Sequence, residues 1–177
     1  MLRDVAIPGL YVAGVDGCSG GWVAFIVDLS SQITRVERVD LASLILHRPH
    51  GLAILAIDMP IGLIDGTRPC DSAARRFLGF PRCCSVFPAP CREAAASGSY
   101  PTASGINYAR TGKRLTRQTW EIAPKIREID DLVCTRHQEW VYEVHPEVSF
   151  WRMNGRNPMK HSKSRKAGRD ERRQILL

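Results

Sequence analysis

The sequence predicts an α/β domain whose mixed five-stranded sheet is a three-strand meander followed by two parallel strands. The first observation is that three β-rich runs are joined by turns so short that they require antiparallel hairpins. The second is a fourth apolar run, LAILAID (52–58), which hardly alternates, as is typical of a strand covered on both faces. The third is that helical patterns separate this run from a fifth strand, EWVYEV (139–144), as crossovers between parallel strands do.

The elements follow this order along the chain. The three meander strands are LYVAGVD (10–16), WVAFIVDL (22–29) and the alternating ITRVERVD (33–40). A Gly-rich turn, GCSGG, separates the first two strands, and a short helix over 41–48 precedes strand four. Later helices are expected at 70–79, within 85–98 after a Pro-rich loop, at 116–137 with an interruption at Pro124, at 145–155 and at 164–177. We expect a single domain over residues 1–177.

Composition excludes several classes of protein. Hydrophobic content is 44% and charged content is 24%, which are ordinary values for a globular domain. No apolar run approaches the ~18 residues of a membrane span, and the N-terminus lacks a signal-peptide core, so the expected location is the cytoplasm and no membrane partner is expected. The six cysteines form no CxxC pair, which favours reduced thiols over a zinc site.

The net charge of +7 is concentrated at the C-terminal end of the sequence. The segment from Arg152 to Leu177 holds nine basic and two acidic residues, whereas basic and acidic residues balance in the rest of the chain. Such a segment favours a polyanionic partner, with nucleic acid as the expected one. The alternative is a solvated basic helix without a partner.

Three acids end the three strands that should be parallel neighbours. The order of elements is that expected of a ribonuclease H-like fold, in which strands one, four and five lie side by side. Asp16, Asp58 and Glu143 would then meet at the carboxyl edge of the sheet, where ligands of open α/β sheets bind. Clustered carboxylates repel one another unless cations neutralise them, and Mg²⁺ or Mn²⁺ held there could activate water for phosphodiester hydrolysis. Taken singly, each acid could equally be a turn or cap residue.

Two residues beside the fifth strand are further candidates. His145 could carry a proton, or it could cap the helix that begins at Pro146. Glu147 could be an extra metal ligand, or an acid favoured near a helix N-terminus.

Several segments, in order and across nearly the whole chain, resemble one uncharacterised family, usually labelled predicted RNase H-like nuclease. They are GVDGCSGGWVAFIVD, AIDMPIGL, CDSAARRFLG, SVFPAP, YEVHPEVSFWRMNG and SKSRKAGRDERRQILL. The resemblance implies an RNase H-like core, metal-binding acids matching Asp16, Asp58 and Glu143, and a phosphate-binding contribution to the same site from Arg82, Lys163 and Arg165. Members of the family usually continue into another acid-containing helix. We therefore expect a member truncated at its C-terminus, with an apolar patch that could pair with a second copy in a homodimer.

Two other functions remain open. DGCSGG follows a strand, as phosphate-binding loops do in actin and sugar kinases, so Asp16 could hold Mg²⁺ in a nucleotide phosphotransferase. However, only one such loop is present, and a kinase of this type needs two halves. A non-catalytic module that docks nucleic acid or protein is the third hypothesis, and as a purely electrostatic nucleic-acid binder it would ignore Mg²⁺ and lose affinity steeply with salt.

Overall fold

The computed structural model describes residues 9–177, which divide into two compact units. The first unit comprises the described part of Met1–Gly62 together with Glu128–Glu143. The second comprises Leu63–Arg127 and Val144–Leu177. The first unit contains the whole β-sheet, and the second contains most of the helices.

The sheet has five strands in the spatial order β3-β2-β1-β4-β5. Pairing is antiparallel between β1 and β2 and between β2 and β3, and parallel between β1 and β4 and between β4 and β5. The predicted α/β class and mixed five-stranded sheet are therefore confirmed. The strands are β1 Tyr11–Cys18, β2 Gly21–Asp28, β3 Thr34–Val39, β4 Leu52–Ile57 and β5 Val141–Glu143.

Two tight turns set the register of the meander. Cys18 pairs with Gly21, so β1 and β2 are joined by a two-residue turn in which Gly20 has a φ of 74°, a conformation that glycine adopts without steric cost. In the next turn, the carboxylate of Asp28 accepts hydrogen bonds from the amides of Ser30 (2.8 Å) and Ser31 (3.1 Å). This side chain replaces backbone partners that the turn would otherwise lack.

The core of the first unit consists of alternate sheet residues and two helical segments. Leu55 and Ile57 of β4 are fully buried. The short helix α1, Leu41–Leu46, contributes buried residues and begins where Asp40 accepts from the amide of Ala42. Helix α5 spans Arg117–Leu132, and its last residues, from Glu128 onward, belong to this unit. There the Trp22 indole N–H donates to Glu128 Oε1 at 2.9 Å.

The second unit is helical. It contains the remainder of α5 and five further helices: α2 Pro69–Leu78, α3 Arg92–Ala95, α4 Tyr100–Thr111, α6 Pro146–Met153 and α7 Lys166–Leu176. Helix α3 packs on α4, and α6 contacts both α2 and α7. Its core includes the buried residues Cys91, Ala94, Ala103 and Leu115.

Helix α4 was not among the predicted elements. Its sequence, YPTASGINYART, is poor in strong helix formers and contains both Gly and Pro. Its ends nevertheless carry standard signals. The Ser99 side chain accepts from the amide of Thr102, Pro101 lies in the first turn, and Gly112 ends the helix at a φ of 71°.

Two expectations from composition can be compared with the structure. Within residues 9–177, no helix is both long enough and apolar enough to cross a membrane. All six cysteines are free thiols.

Candidate functional site

The ends of β1 and β4 bring Asp16 and Asp58 side by side. Val15 pairs with Ile57 across the parallel ladder, and the Asp58 amide donates to the Val15 carbonyl at 2.9 Å. Each acid directly follows one member of this pair, and adjacent strands lie about 4.8 Å apart. Asp16 is exposed, and its Oδ1 accepts from the Gly17 amide at 2.7 Å.

Glu143 lies at the same edge of the sheet, on the far side of β4. It pairs with Ile57 as the last residue of β5. Its Oε2 accepts from the Ile61 amide at 2.9 Å, so its carboxylate lies against the loop that leaves Asp58. The three predicted acids thus lie at one sheet edge, because the carboxyl ends of the parallel strands point the same way. Glu143 ends β5, Asp58 directly follows β4, and Asp16 lies two residues before the end of β1.

The donor set of this edge suits a hard divalent cation. The three acids offer carboxylate oxygens, the ligands that Mg²⁺ and Mn²⁺ prefer. In the described part of the chain, these three carboxylates do not form a group whose oxygens all lie within 4.8 Å of one another. Mg²⁺ usually takes one or two carboxylates directly and keeps several waters, so the set fits a hydrated ion bound mainly by the neighbouring Asp16 and Asp58.

His145 and Arg82 lie in the second unit, where both are associated with one short 3-10 turn, Arg82–Ser85. His145 occupies the N-cap position of α6 but makes no side-chain cap. Its Nε2 lies 3.0 Å from the Ser85 carbonyl, which can only accept and so assigns the proton to Nε2. His145 Nδ1 and Arg82 Nε are buried and make no hydrogen bond within residues 9–177.

Glu147 lies in a buried ion pair. It is 4% exposed, and its Oε1 lies 2.6 Å from an Nη of Arg172, which is 8% exposed. Arg172 also donates to the carbonyls of His161 (3.1 Å) and Gly168 (2.6 Å). Glu147 therefore connects α6 to α7 and to the segment that precedes α7.

The basic C-terminal segment exposes eight of its nine cations, and one of its two acids, Glu171, accepts internal hydrogen bonds. Glu171 accepts from the amides of Lys160 (2.8 Å) and His161 (3.0 Å). Burial acts to raise the pKa of Glu171, but these amides and the charges of His161 and Arg172 outweigh it and hold the pKa below its ordinary value. Eight cations remain exposed: Arg152, Arg156, Lys160, Lys163, Arg165, Lys166, Arg169 and Arg173.

A buried carboxylate at the start of α2, Asp71, was not predicted from the sequence. Asp71 is 6% exposed, accepts from the Ala89 amide at 2.8 Å and lies 3.5 Å from an Nη of Arg68. It fixes the Pro-rich segment 86–91 against α2. The signal was an acid in the first turn of a predicted helix, followed by a Pro-rich loop that needed a polar anchor.

Comparison with known proteins gives a family but no described activity. No curated protein and no solved structure matches the chain. Residues 14–177 match the family model described as "Protein of unknown function (DUF429)", and the chain therefore belongs to this family.

Proposed function

We propose that this protein is a cytoplasmic metal-dependent nuclease of the ribonuclease H-like type, which hydrolyses phosphodiester bonds of nucleic acid. The observation that carries the proposal is the strand order β3-β2-β1-β4-β5, with Asp16, Asp58 and Glu143 at the carboxyl edge of its three parallel strands. This order agrees with an RNase H-like core.

Each acid has a distinct task in this proposal. Asp16 and Asp58 bind the cation, since they directly follow Val15 and Ile57, the last pair of the β1–β4 ladder. Glu143 completes the negative site, and its bond from the Ile61 amide fixes the direction of its carboxylate. Mg²⁺ or Mn²⁺, when bound, supplies Lewis acidity toward water and the phosphodiester oxygens.

Binding of the polyanion falls to the exposed cations of 152–173. They are eight in number, and counterion release gives such a surface affinity for any nucleic-acid backbone. Lys163 and Arg165 are the proposed phosphate ligands, together with Arg82. His145 is the proposed proton carrier, and its Nδ1 is the atom that would accept the proton. Because Nδ1 is buried, this role requires substrate or a water molecule to enter the site and contact it.

Calorimetric titration of Mn²⁺ and Mg²⁺ into the protein tests the proposal. The parent should bind the ion, and the Asp16→Asn/Asp58→Asn variant should not. The matched control is Asp131→Asn/Glu139→Gln, which removes two exposed acids of the same unit and should bind like the parent. Cleavage of RNA, DNA and branched substrates in Mg²⁺ and in EDTA then identifies the substrate.

The opposite result has a clear meaning. If the folded parent binds neither ion, the acids do not assemble a cation site and the nuclease proposal fails. The exposed cations would then favour a non-catalytic nucleic-acid-binding module, whose affinity falls with salt and does not depend on Mg²⁺.

A further inference from the structure

The loop between α4 and α5, together with the first residue of α5, presents cations near an exposed aromatic ring. Lys113, Arg114 and Arg117 are all exposed. Tyr108, in the last turns of α4, keeps 54% of its surface exposed. The guanidinium carbon of Arg114 lies 5.2 Å from the centre of the Tyr108 ring, which forms a cation–π pair at the surface.

Internal bonds hold this loop in one conformation. The buried Asn107 side chain donates to the Lys113 carbonyl at 2.7 Å, and the Lys113 amide donates to Thr111 Oγ1 at 3.2 Å. Farther along, the Tyr100 hydroxyl donates to the carbonyl of the buried Leu115 at 3.0 Å. The cations are therefore displayed on a pre-organised backbone, so ligand binding does not require the loss of conformational entropy that ordering the loop would cost.

Acids of the same region do not cancel this charge. The nearby Arg110 pairs with Glu93 at 2.7 Å. Within residues 9–177, no ion pair involves Lys113, Arg114 or Arg117. The surface thus carries three positive charges. Arg114 lies beside the Tyr108 ring, and Lys113 precedes Arg114 in the loop. The guanidinium carbon of Arg117 lies 4.1 Å from the centre of the Tyr100 ring.

We propose that the 108–117 surface, defined by Tyr108, Lys113, Arg114 and Arg117, binds single-stranded nucleic acid. A base stacks on the Tyr108–Arg114 pair, and backbone phosphates bind the cations. A duplex fits less well, because its bases are already stacked on one another. An acidic peptide would use the charges and leave the ring without a role. The inference does not depend on the proposed nuclease activity, since none of the proposed site residues belongs to this surface.

Fluorescence anisotropy with a labelled 12-nucleotide oligo(dT), in EDTA, tests the stacking. Tyr108→Ala should weaken binding by about tenfold, in line with the loss of one stacked base. Tyr108→Phe should bind within about twofold of the parent, because it keeps the ring face. If Tyr108→Ala binds as tightly as the parent, the proposal is wrong.

A salt titration tests the phosphate contacts. The slope of log affinity against log salt should fall by about 0.7 for each phosphate-binding cation removed, in Lys113→Ala and Arg117→Ala. Arg35→Ala, which removes an exposed arginine of β3, is the matched control and should keep the parent slope. Equal affinity for oligo(dT), its duplex and a polyglutamate peptide would refute recognition of a single strand.

The two proposals can fail separately. In the Asp16→Asn/Asp58→Asn variant, oligo(dT) binding in EDTA should match the parent. Loss of metal binding together with retained oligo(dT) binding supports both proposals. If oligo(dT) binding is also lost while circular dichroism shows an intact fold, the 108–117 surface is not the binding site.

Discussion

The buried pair between Glu147 and Arg172 permits a quantitative prediction of stability. Glu147→Gln keeps the size of the side chain but removes the charge that compensates Arg172. Loss of one partner of a buried ion pair costs about 3–5 kcal/mol, since the other charge remains in a poorly solvated site. Arg172 keeps two carbonyl acceptors, from His161 and Gly168. We therefore expect the lower end of this range, about 3 kcal/mol.

Thermal unfolding followed by circular dichroism measures the effect. For a chain of this size, 1 kcal/mol corresponds to roughly 2–4 °C, so Tm should fall by roughly 6–12 °C. Glu147→Leu/Arg172→Met removes both charges and should unfold close to the parent or above it, as apolar replacements of buried pairs often do. Arg110→Gln breaks an exposed pair with Glu93, about half exposed on each side, and should leave Tm unchanged.

One result would refute this reasoning. If Glu147→Gln and Arg110→Gln have the same Tm, the Glu147–Arg172 pair is no more important than a surface pair. In that case the burial of Glu147 would not affect stability. Nor would it matter that Glu147 Oε2 has no hydrogen-bond partner within residues 9–177.

Three further predictions concern backbone space and pH. Gly168→Ala should destabilise the protein, because its Cβ would overlap the Ser162 carbonyl, whereas Gly105→Ala, in α4 with open space around it, should raise Tm. The pKa of Glu171 is lower in the folded protein than its ordinary value of 4.5, so ionised Glu171 stabilises the fold above pH 4.5. This stability should be lost as the pH falls from 4.5 through the pKa of the folded state. Glu171→Gln should make the loss smaller. Burial, and then the charge of Arg136, lower the pKa of His137, so stability should also fall as the pH drops below about 6.5, and His137→Gln should remove that step.

Urea unfolding across pH 3–8 measures both acid-dependent steps. If the parent and Glu171→Gln lose stability in parallel below pH 4.5, the bonds from the amides of Lys160 and His161 do not depend on the ionised carboxylate. If the step below pH 6.5 persists in His137→Gln, another group titrates there.

The sheet could be predicted from sequence because its information is local. The alternation in 33–40 and the apolar run 52–58 each indicate a strand. The short turns indicate antiparallel neighbours, and the helical crossovers indicate parallel ones. Predicted strand ends lie within two residues of the observed ones. The placement of Asp16, Asp58 and Glu143 at one edge could also be predicted. Parallel strands have their carboxyl ends at the same edge of the sheet, so residues near those ends lie near one another.

The roles of single side chains could not be predicted, because they depend on distant partners. Glu147 pairs with Arg172, 25 residues away, and Asp71 accepts from Ala89, 18 residues away. The spacing of residues along a single helix cannot predict either contact, because each contact joins residues of different segments. His145 stands at the N-cap of α6, yet its ring interacts with the Ser85 carbonyl instead. The predicted positions of His145 and Glu147 at the start of α6 were right, whereas Asp71 was not predicted at all, and tertiary packing decided the partner of each residue.

The arrangement of charge in α7 is an argument that its cations serve binding rather than stability. A helix N-terminus disfavours cations, yet Arg165, Lys166 and Arg169 occupy the cap and first turns of α7, where no acid stands in the first turn. The stabilising charges of this segment are one of its two acids, Glu171, which accepts from two amides, and Arg172, which is paired with Glu147. Arg169 donates to the Ser164 carbonyl at 2.7 Å, but Arg165 makes no side-chain cap, so the presence of Arg165 and Lys166 at the start of α7 is better explained by an external polyanion. Substituting them should therefore lower nucleic-acid affinity while leaving Tm unchanged or raised, and a fall in Tm would contradict this account.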